Sequence, residues 1–341
     1  MNFFKQFQKK KSELHQFYAE GAFSEVANID DIYHCFRLIL GRNPNPEECK
    51  GHAGMVGAPL THVVKSYVQS LEFQRRELMR SSSSCPAMCS IEGFKILVDQ
   101  GDQAVGIPIL NGNYEPHVTA LFKKFLRPGK RVLDIGANIG YFSLLASALV
   151  GESGAVFAVE PNMENCKLLQ ASKGLNQFHQ LTIFQLAAGK TTGMLALNTS
   201  YSNGTTSSLS QNTDALMSSR TVASIKLDHL KDFDEGIDFI KIDVEGAEYS
   251  ALVGASQLIE KFKPIIVSEF SPTAMPMISG VDGKAYLDFL ISFGYELCVV
   301  KFDGTVENHH RDTKAVLRAF YEAGVDHIDL LALPIDRDRH A

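Results

Sequence analysis

The sequence predicts an α/β fold, a doubly wound and mostly parallel sheet, preceded by a small all-α domain. Three observations carry this. From residue 131 onward, short apolar runs of strand length alternate with helical patterns. A glycine-containing bend joins the first of those runs to the helix that follows it. Residues 1–80 instead show helical spacing and end at SSSSCP, 81–86, a linker by composition. The expected division is therefore 1–85, a helical domain with its linker, and 86–341, the α/β domain.

In the first part Ile32, Cys35, Phe36, Ile39 and Leu40 recur at helical spacing, and Gly41 with Pro44 ends that helix. Val63, Val64, Tyr67, Val68 and Leu71 form a second such pattern. Beyond the linker, Lys95–Asp99 and Ala104–Ile109 flank a polar stretch and suggest a hairpin. Pro116–Leu126 reads as a helix closed by Arg127-Pro128-Gly129. Seven strands follow: Arg131–Ile135, Ala155–Glu160, Leu181–Leu186, Ile237–Asp243, Pro264–Phe270, Tyr295–Val300 and His327–Leu333. The Ser/Thr/Asn-rich piece 198–214 breaks this rhythm as a long polar loop, either a substrate lid or a disordered flap.

Composition narrows the function. A formal charge of −6, with no basic run interleaved with aromatics, argues against nucleic acid as a partner. Six cysteines, at 35, 49, 85, 89, 166 and 298, are too dispersed for a disulfide framework or a zinc site, so reduced thiols and a cytoplasmic location are expected. The N-terminus lacks the apolar stretch of a secretory signal, and no apolar run is long enough to span a membrane. Phe3, Phe4 and Phe7 beside Lys9–Lys11 suit at most a weak membrane-surface contact, and a helix packed on its own domain is the plainer reading. The sequence leaves a homo-oligomer open.

The segment Asp134-Ile135-Gly136-Ala137-Asn138-Ile139-Gly140 ends a buried strand and opens a helix. Glycines let the backbone turn tightly there, and amides at the helix start are expected to face a ligand. A dinucleotide site would carry G-x-G-x-x-G, whereas here Asn138 stands where a diphosphate needs bare backbone and Asp134 would repel it. A sulfonium cofactor bearing an ammonium group, S-adenosylmethionine, is the better electrostatic match. Glu160, at the end of the next strand, is placed to accept two ribose hydroxyls, and Pro161 and Asn162 turn the chain into the following helix.

The third informative stretch runs from Asp238 to Glu248. Lys241 interrupts an apolar strand and needs a carboxylate partner, and alternation puts Asp243 on its face. Asp243 ends that strand where open α/β sheets bind ligands, and Glu269 ends the next. A hydroxyl nucleophile needs a proton acceptor within reach, so Asp243, Glu245 and Glu269 are the candidates, in that order, with Lys241 as their counter-charge. A metal held by Asp243 and Glu269 would lack an oxygen-rich loop, so none is expected. The histidines read as surface or satisfied side chains rather than bases, with His117, beside Tyr114 and Glu115, the one nearest to an exception.

These residues resemble the FkbM-type methyltransferases. The matching signatures are Asp134 to Gly140 with Tyr-Phe-Ser, Glu160-Pro-Asn, Ile240 to Glu248 followed by Gly254-Ala255, and Pro264 to Glu269, within a resemblance covering about 90–335. The resemblance implies a class I, Rossmann-like methyltransferase fold with a seven-stranded sheet and an antiparallel strand near the C-terminus. It further implies O-methylation of acceptors such as the sugar hydroxyls of glycans, glycolipids or natural products. The segment 30–80, with Leu40-Gly-Arg-Asn-Pro44 and Ser70-Leu-Glu-Phe73, resembles a small domain of bacterial surface-glycan proteins, which implies a sugar acceptor. The rivals are a polyketide, peptide or other small-molecule acceptor, a catalytically silent cofactor-binding scaffold in glycan assembly, and a nicotinamide-dependent dehydrogenase.

Overall fold

The computed structural model describes residues 24–75, 86–198, 205–208 and 220–335. The phenylalanine–lysine start, most of the serine linker, and most of the polar loop 198–214 lie outside them. The chain divides into two compact units, Met1–Ser83 and Ser84–Ala341. No helix among the described residues is long and apolar enough to cross a membrane.

The small unit is helical: α1 (Ile29–Leu38), α2 (Pro46–His52), α3 (Leu60–Val68) and α4 (Leu71–Arg75). Asn28 caps α1 by accepting the amides of Asp30 and Asp31, while the Asp31 carboxylate returns a bond to the Asn28 amide. The periodic residues read from the sequence, Ile32, Cys35 and Phe36 of α1 with Val63 and Tyr67 of α3, form its core. Arg42, of the Leu-Gly-Arg motif, ties this unit together by binding Glu48 at 2.7 Å and Glu72 at 2.6 Å.

The large unit begins with a hairpin, β1 (Ala87–Ile91) and β2 (Phe94–Val98). This corrects the expected hairpin at 95–109: Glu92 and Gly93 turn with φ of 52° and 85°, and Gly106–Leu110 is a short helix, α5. Helix α6 (Pro116–Phe125) leads into β3 (Arg131–Ile135), α7 (Tyr141–Val150), β4 (Ala155–Val159), α8 (Met163–Asn176) and β5 (Leu181–Phe184). Next come β6 (Ala187–Ala188), β7 (Gly193–Asn198), β8 (Thr205–Ser208) and β9 (Arg220–Ile225). The chain then returns through β10 (Phe239–Ile242), α9 (Glu248–Val253), α10 (Ser256–Phe262), β11 (Ile265–Phe270) and α11 (Met275–Ile278). It finishes with α12 (Gly283–Ser292), β12 (Tyr295–Val300), β13 (Val306–His310), α13 (Thr313–Ala323) and β14 (Ile328–Pro334).

The main sheet has the order β13-β12-β14-β11-β10-β3-β4-β5. Seven of these strands are those read from the sequence, and β14 runs antiparallel between β11 and β12 as expected. The eighth, β13, adds an edge strand whose alternate residues are exposed, so it carried no apolar signal. Strands β6 to β9 form a separate four-stranded sheet, and β8 falls inside the stretch read as a loop.

Alternation along β10 splits the main core. Phe239 packs with Phe122, Leu144 and Val267 on one face, whereas Ile240 and Ile242 pack with Leu252, Ile266 and Tyr286 on the other. The parallel strands bring the ends of β3, β4, β10 and β11 to one edge. At that edge a Cβ on Gly136, whose φ is +81°, would lie 1.8 Å from the Asp243 carbonyl oxygen. The two loops touch through bare backbone. Gly136→Ala should therefore cost at least about 2 kcal/mol of stability, combining left-handed strain with a backbone clash. A denaturant midpoint equal to that of the parent protein would contradict this packing.

Candidate active site

Against the carboxyl edge of the sheet lies a cavity of about 600 Å³. Gly136 and Asn138 of the first loop, Glu160 and Pro161 after β4, and Asp243, Glu245 and Glu269 all line it. Lys241 faces instead a second cavity of about 40 Å³ behind the first. Asp134, Ala137, Gly140 and Asn162 line neither. Asn162 caps α8 by accepting the Glu164 amide, and Gly140 keeps the loop against Leu169, where a Cβ would meet Cδ1 at 2.1 Å. Asp134 is fully buried, accepts a 2.6 Å bond from Ser143 Oγ, and leaves Oδ1 without a hydrogen-bond partner among the described residues. Burial raises its carboxyl above the usual range, and the Lys241 charge partly offsets that.

The structure corrects the expected role of the glycine loop. Its amides do not wait for a ligand: Gly136 and Ala137 donate to the Val159 carbonyl at 2.9 and 3.1 Å, and Gly140 donates to Ala137 at 2.8 Å. Asn138 N donates to Glu160 Oε2 at 2.8 Å, and Ile139 N to the Asn138 side chain at 2.8 Å. Glu160 also accepts the Asn162 amide on Oε1 at 2.7 Å. It thus fastens the loop to the end of β4, and it keeps accepting capacity towards the cavity, because each carboxylate oxygen has two lone pairs. Glu248 does the same work for the next loop, accepting the amides of Val244 and Gly246 at 2.9 and 3.1 Å while fully buried.

Lys241 and Asp243 meet as alternation required, with Nζ 2.9 Å from Oδ2. The Lys241 ammonium also lies 5.1 Å from the centre of the Phe142 ring. Burial opposes its charge, but Asp243, Asp134 and Glu115 outweigh that and hold it above the ordinary lysine range. Burial would likewise raise Asp243, yet Lys241 and a hydrogen bond with Glu269 keep its carboxyl below the usual value. Glu269 moves the other way, well above the usual range, through burial and the neighbouring Asp243 charge. The two shifts run apart, so Asp243 is favoured as the ionised member of the pair and Glu269 as the one that holds a proton. Oxygen atoms of Asp243, Glu245 and Glu269 lie within 4.8 Å of one another, a spacing that a divalent cation could also occupy.

Three groups around the cavities were not singled out from the sequence. Glu115, at φ 40° ahead of α6, lines both cavities. Asp326 and His327 arrive from the segment before β14. His117, noted as a weak candidate, is buried in the small cavity with Nε2 2.7 Å from Asp329 Oδ2. Tyr114 and Glu115 sit beside it in sequence, which was the available signal. Asp326 and His327 had none, because only the antiparallel path of β14 brings them to this edge.

Burial pushes Glu115, Glu160 and Glu248 each up to about 7. The fold then holds protons that an unfolded chain releases near pH 4.3, so stability falls as pH rises from about 4.5 to 7. His117 acts in the same direction: Asp329 raises it against the effect of burial, and that stabilisation is lost as pH rises through its folded value. The calorimetric melting midpoint should be higher at pH 5.5 than at pH 8, by on the order of 1 kcal/mol per carboxyl in stability. A midpoint that climbs across this window would refute the protonated state of these groups.

The strand order and the carboxylate-lined cleft at the sheet edge define a class I methyltransferase domain, the class whose methyl donor is S-adenosylmethionine. Residues 134–297 match the family model described as the methyltransferase FkbM domain. Among curated proteins, protein-L-isoaspartate O-methyltransferase 1 of Arabidopsis thaliana is 30% identical over 104 residues, 28% of this chain and 44% of that protein. The chain thus spans less than half of the curated relative it matches. Among solved structures, an FkbM methyltransferase from Methylobacillus flagellatus aligns with TM-score 0.37 and 18% identity, covering 62% of this chain and 50% of that one. An Aeropyrum pernix fibrillarin solved with bound S-adenosylmethionine aligns with TM-score 0.38 and 12% identity, covering 74% and 85%.

The chain's own residues fit that cofactor. Among the described residues no lysine or arginine lines the large cavity, and the carboxylates there suit a sulfonium and an ammonium. A pyrophosphate would find neither a cation nor, from Gly136 to Gly140, an amide left to donate.

Proposed function

We propose that this protein is an S-adenosylmethionine-dependent O-methyltransferase acting on a hydroxyl of a sugar in a glycan or glycolipid. The observation that carries the reading is an ionised Asp243, held by Lys241 and hydrogen-bonded to Glu269, at the wall of a carboxylate-lined cleft. The cofactor supplies a methyl group on a positively charged sulfur. Glu160 and Asn138 form its side of the cleft, with Glu160 accepting the ribose hydroxyls. On the other side Asp243 takes the proton of the acceptor hydroxyl as the carbon–oxygen bond forms and the carbon–sulfur bond breaks. Glu269 keeps its proton and steadies Asp243, and Lys241 prevents that carboxylate from neutralising itself. The likeness of the small unit to a domain of surface-glycan proteins supports the sugar acceptor, and the acidic groups of the cleft speak against a silent scaffold.

The test is titration calorimetry with S-adenosylhomocysteine and with NAD, followed by assay of S-adenosylhomocysteine formation over a panel of glycans. Binding of NAD in place of the first ligand would end the methyltransferase reading, and binding without turnover on any hydroxyl would favour the scaffold. Glu160→Gln should weaken cofactor binding by about 1–3 kcal/mol, since its amide would set a donor against a loop amide and lose a ribose acceptor. Unchanged affinity would remove Glu160 from the cofactor site.

A further inference from the structure

The cleft also constrains the charge of what it methylates. Six acidic side chains border it, Glu115, Glu160, Asp243, Glu245, Glu269 and Asp326. The nearest lysine, Lys241, is 5% exposed, faces the rear cavity and is bound to Asp243. His327 lies at the border with Nδ1 3.0 Å from Asp326 Oδ1.

A phosphate without a cationic side chain can still be held by a nest of backbone amides. In the two loops that face each other across Gly136 and Asp243, nearly all of those amides are already taken. Every amide from Gly136 to Gly140 is bound within the protein. In the facing loop Asp243 N donates to Ile135 and Ala247 N to Val244, while Val244 N and Gly246 N are held by Glu248. A phosphate near the reacting hydroxyl would meet Asp243 and the other acidic side chains of the cleft, with no lysine or arginine among the described lining residues to offset the repulsion.

We propose that the acceptor is an uncharged polyol, a sugar already released from its nucleotide by glycosyl transfer, and that the cleft rejects phosphorylated and nucleotide-activated sugars. This rests on the methyltransferase reading. It places the reaction after a glycosyltransferase step and leaves the neutral hydroxyl array as the recognised surface.

The experiment uses the full chain loaded with S-adenosylhomocysteine and titrates UDP-glucose into it by calorimetry. In parallel, the protein with labelled S-adenosylmethionine is offered a mixture of neutral glycosides and oligosaccharides with the corresponding nucleoside diphosphate sugars. The expected result is a UDP-glucose Kd above about 1 mM and no label in any nucleotide sugar. A Kd well below that value, or label in a nucleotide sugar, overturns the proposal while the methyltransferase reading stands. Failure of S-adenosylhomocysteine itself to bind in the loading step sinks both, so the two failures are distinguishable.

Discussion

Replacing Asp243 by Asn should reduce methyl transfer by about 10²–10⁴-fold while changing S-adenosylhomocysteine affinity by less than about threefold. The amide is isosteric and its oxygen can still accept from Lys241 Nζ, now at 2.9 Å from Oδ2, so the cleft keeps its shape. What disappears is the carboxylate that Lys241 holds below the usual range, beside a Glu269 that is raised. Glu269 would lose the neighbouring charge that helps raise it, but burial, the larger cause, still opposes its ionisation. Binding measured by calorimetry and turnover measured under saturating cofactor separate the two effects. Parallel losses in both would reassign Asp243 to binding or structure, and an unchanged rate would remove it from the chemistry.

The second large effect is on stability. Lys241→Met should lower the unfolding free energy by about 3–5 kcal/mol, since removing one member of a buried ionic group strands the others. The methionine can occupy the space of the lysine stem, so a cavity is not the cause. The cause is the company left behind: Asp134, fully buried, together with Asp243 and Glu115, all of which now face each other without a cation. Adding Asp134→Asn to Lys241→Met should recover a substantial part of the loss, and that recovery is a readout that a mere packing defect would not produce. A single-variant loss below about 1 kcal/mol would mean that the cation is not what holds these carboxylates together.

Much of the scaffold was visible in the sequence because its signals are local. Seven of the eight main-sheet strands are apolar runs bounded by turns, and the Lys241–Asp243 pair follows from alternation and the expense of a bare buried charge. The misplaced hairpin shows the opposite case. Phe94 and Ile96 of β2 are buried, yet the turn at Glu92-Gly93 lacks the Asn-Gly or Asp-Gly pair that marks such bends, while Gly101 and Asp102 imitated one. The edge strand β13 and the second sheet alternate too little apolar residue to announce themselves. At the site, glycine spacing located the first loop, but the use of its amides was not legible. That depends on where the Val159 carbonyl and the Glu160 carboxylate come to rest, which only tertiary structure sets. Glu115 was seen only as a neighbour of His117, because nothing around it says that its backbone turns left-handed beside both cavities.

The antiparallel course of β14 has a temporal meaning. Because this strand enters the sheet from the ligand-binding edge, pairing Asp329 with Glu269 and Ile328 with Phe270, its first residues complete a wall built by segments synthesised long before. Asp326, His327 and Asp329 reach that wall only when the last strand slots between β11 and β12. A nascent chain halted before residue 326 would own the glycine loop and Asp243 yet lack one side of its pocket, so competence waits for β14.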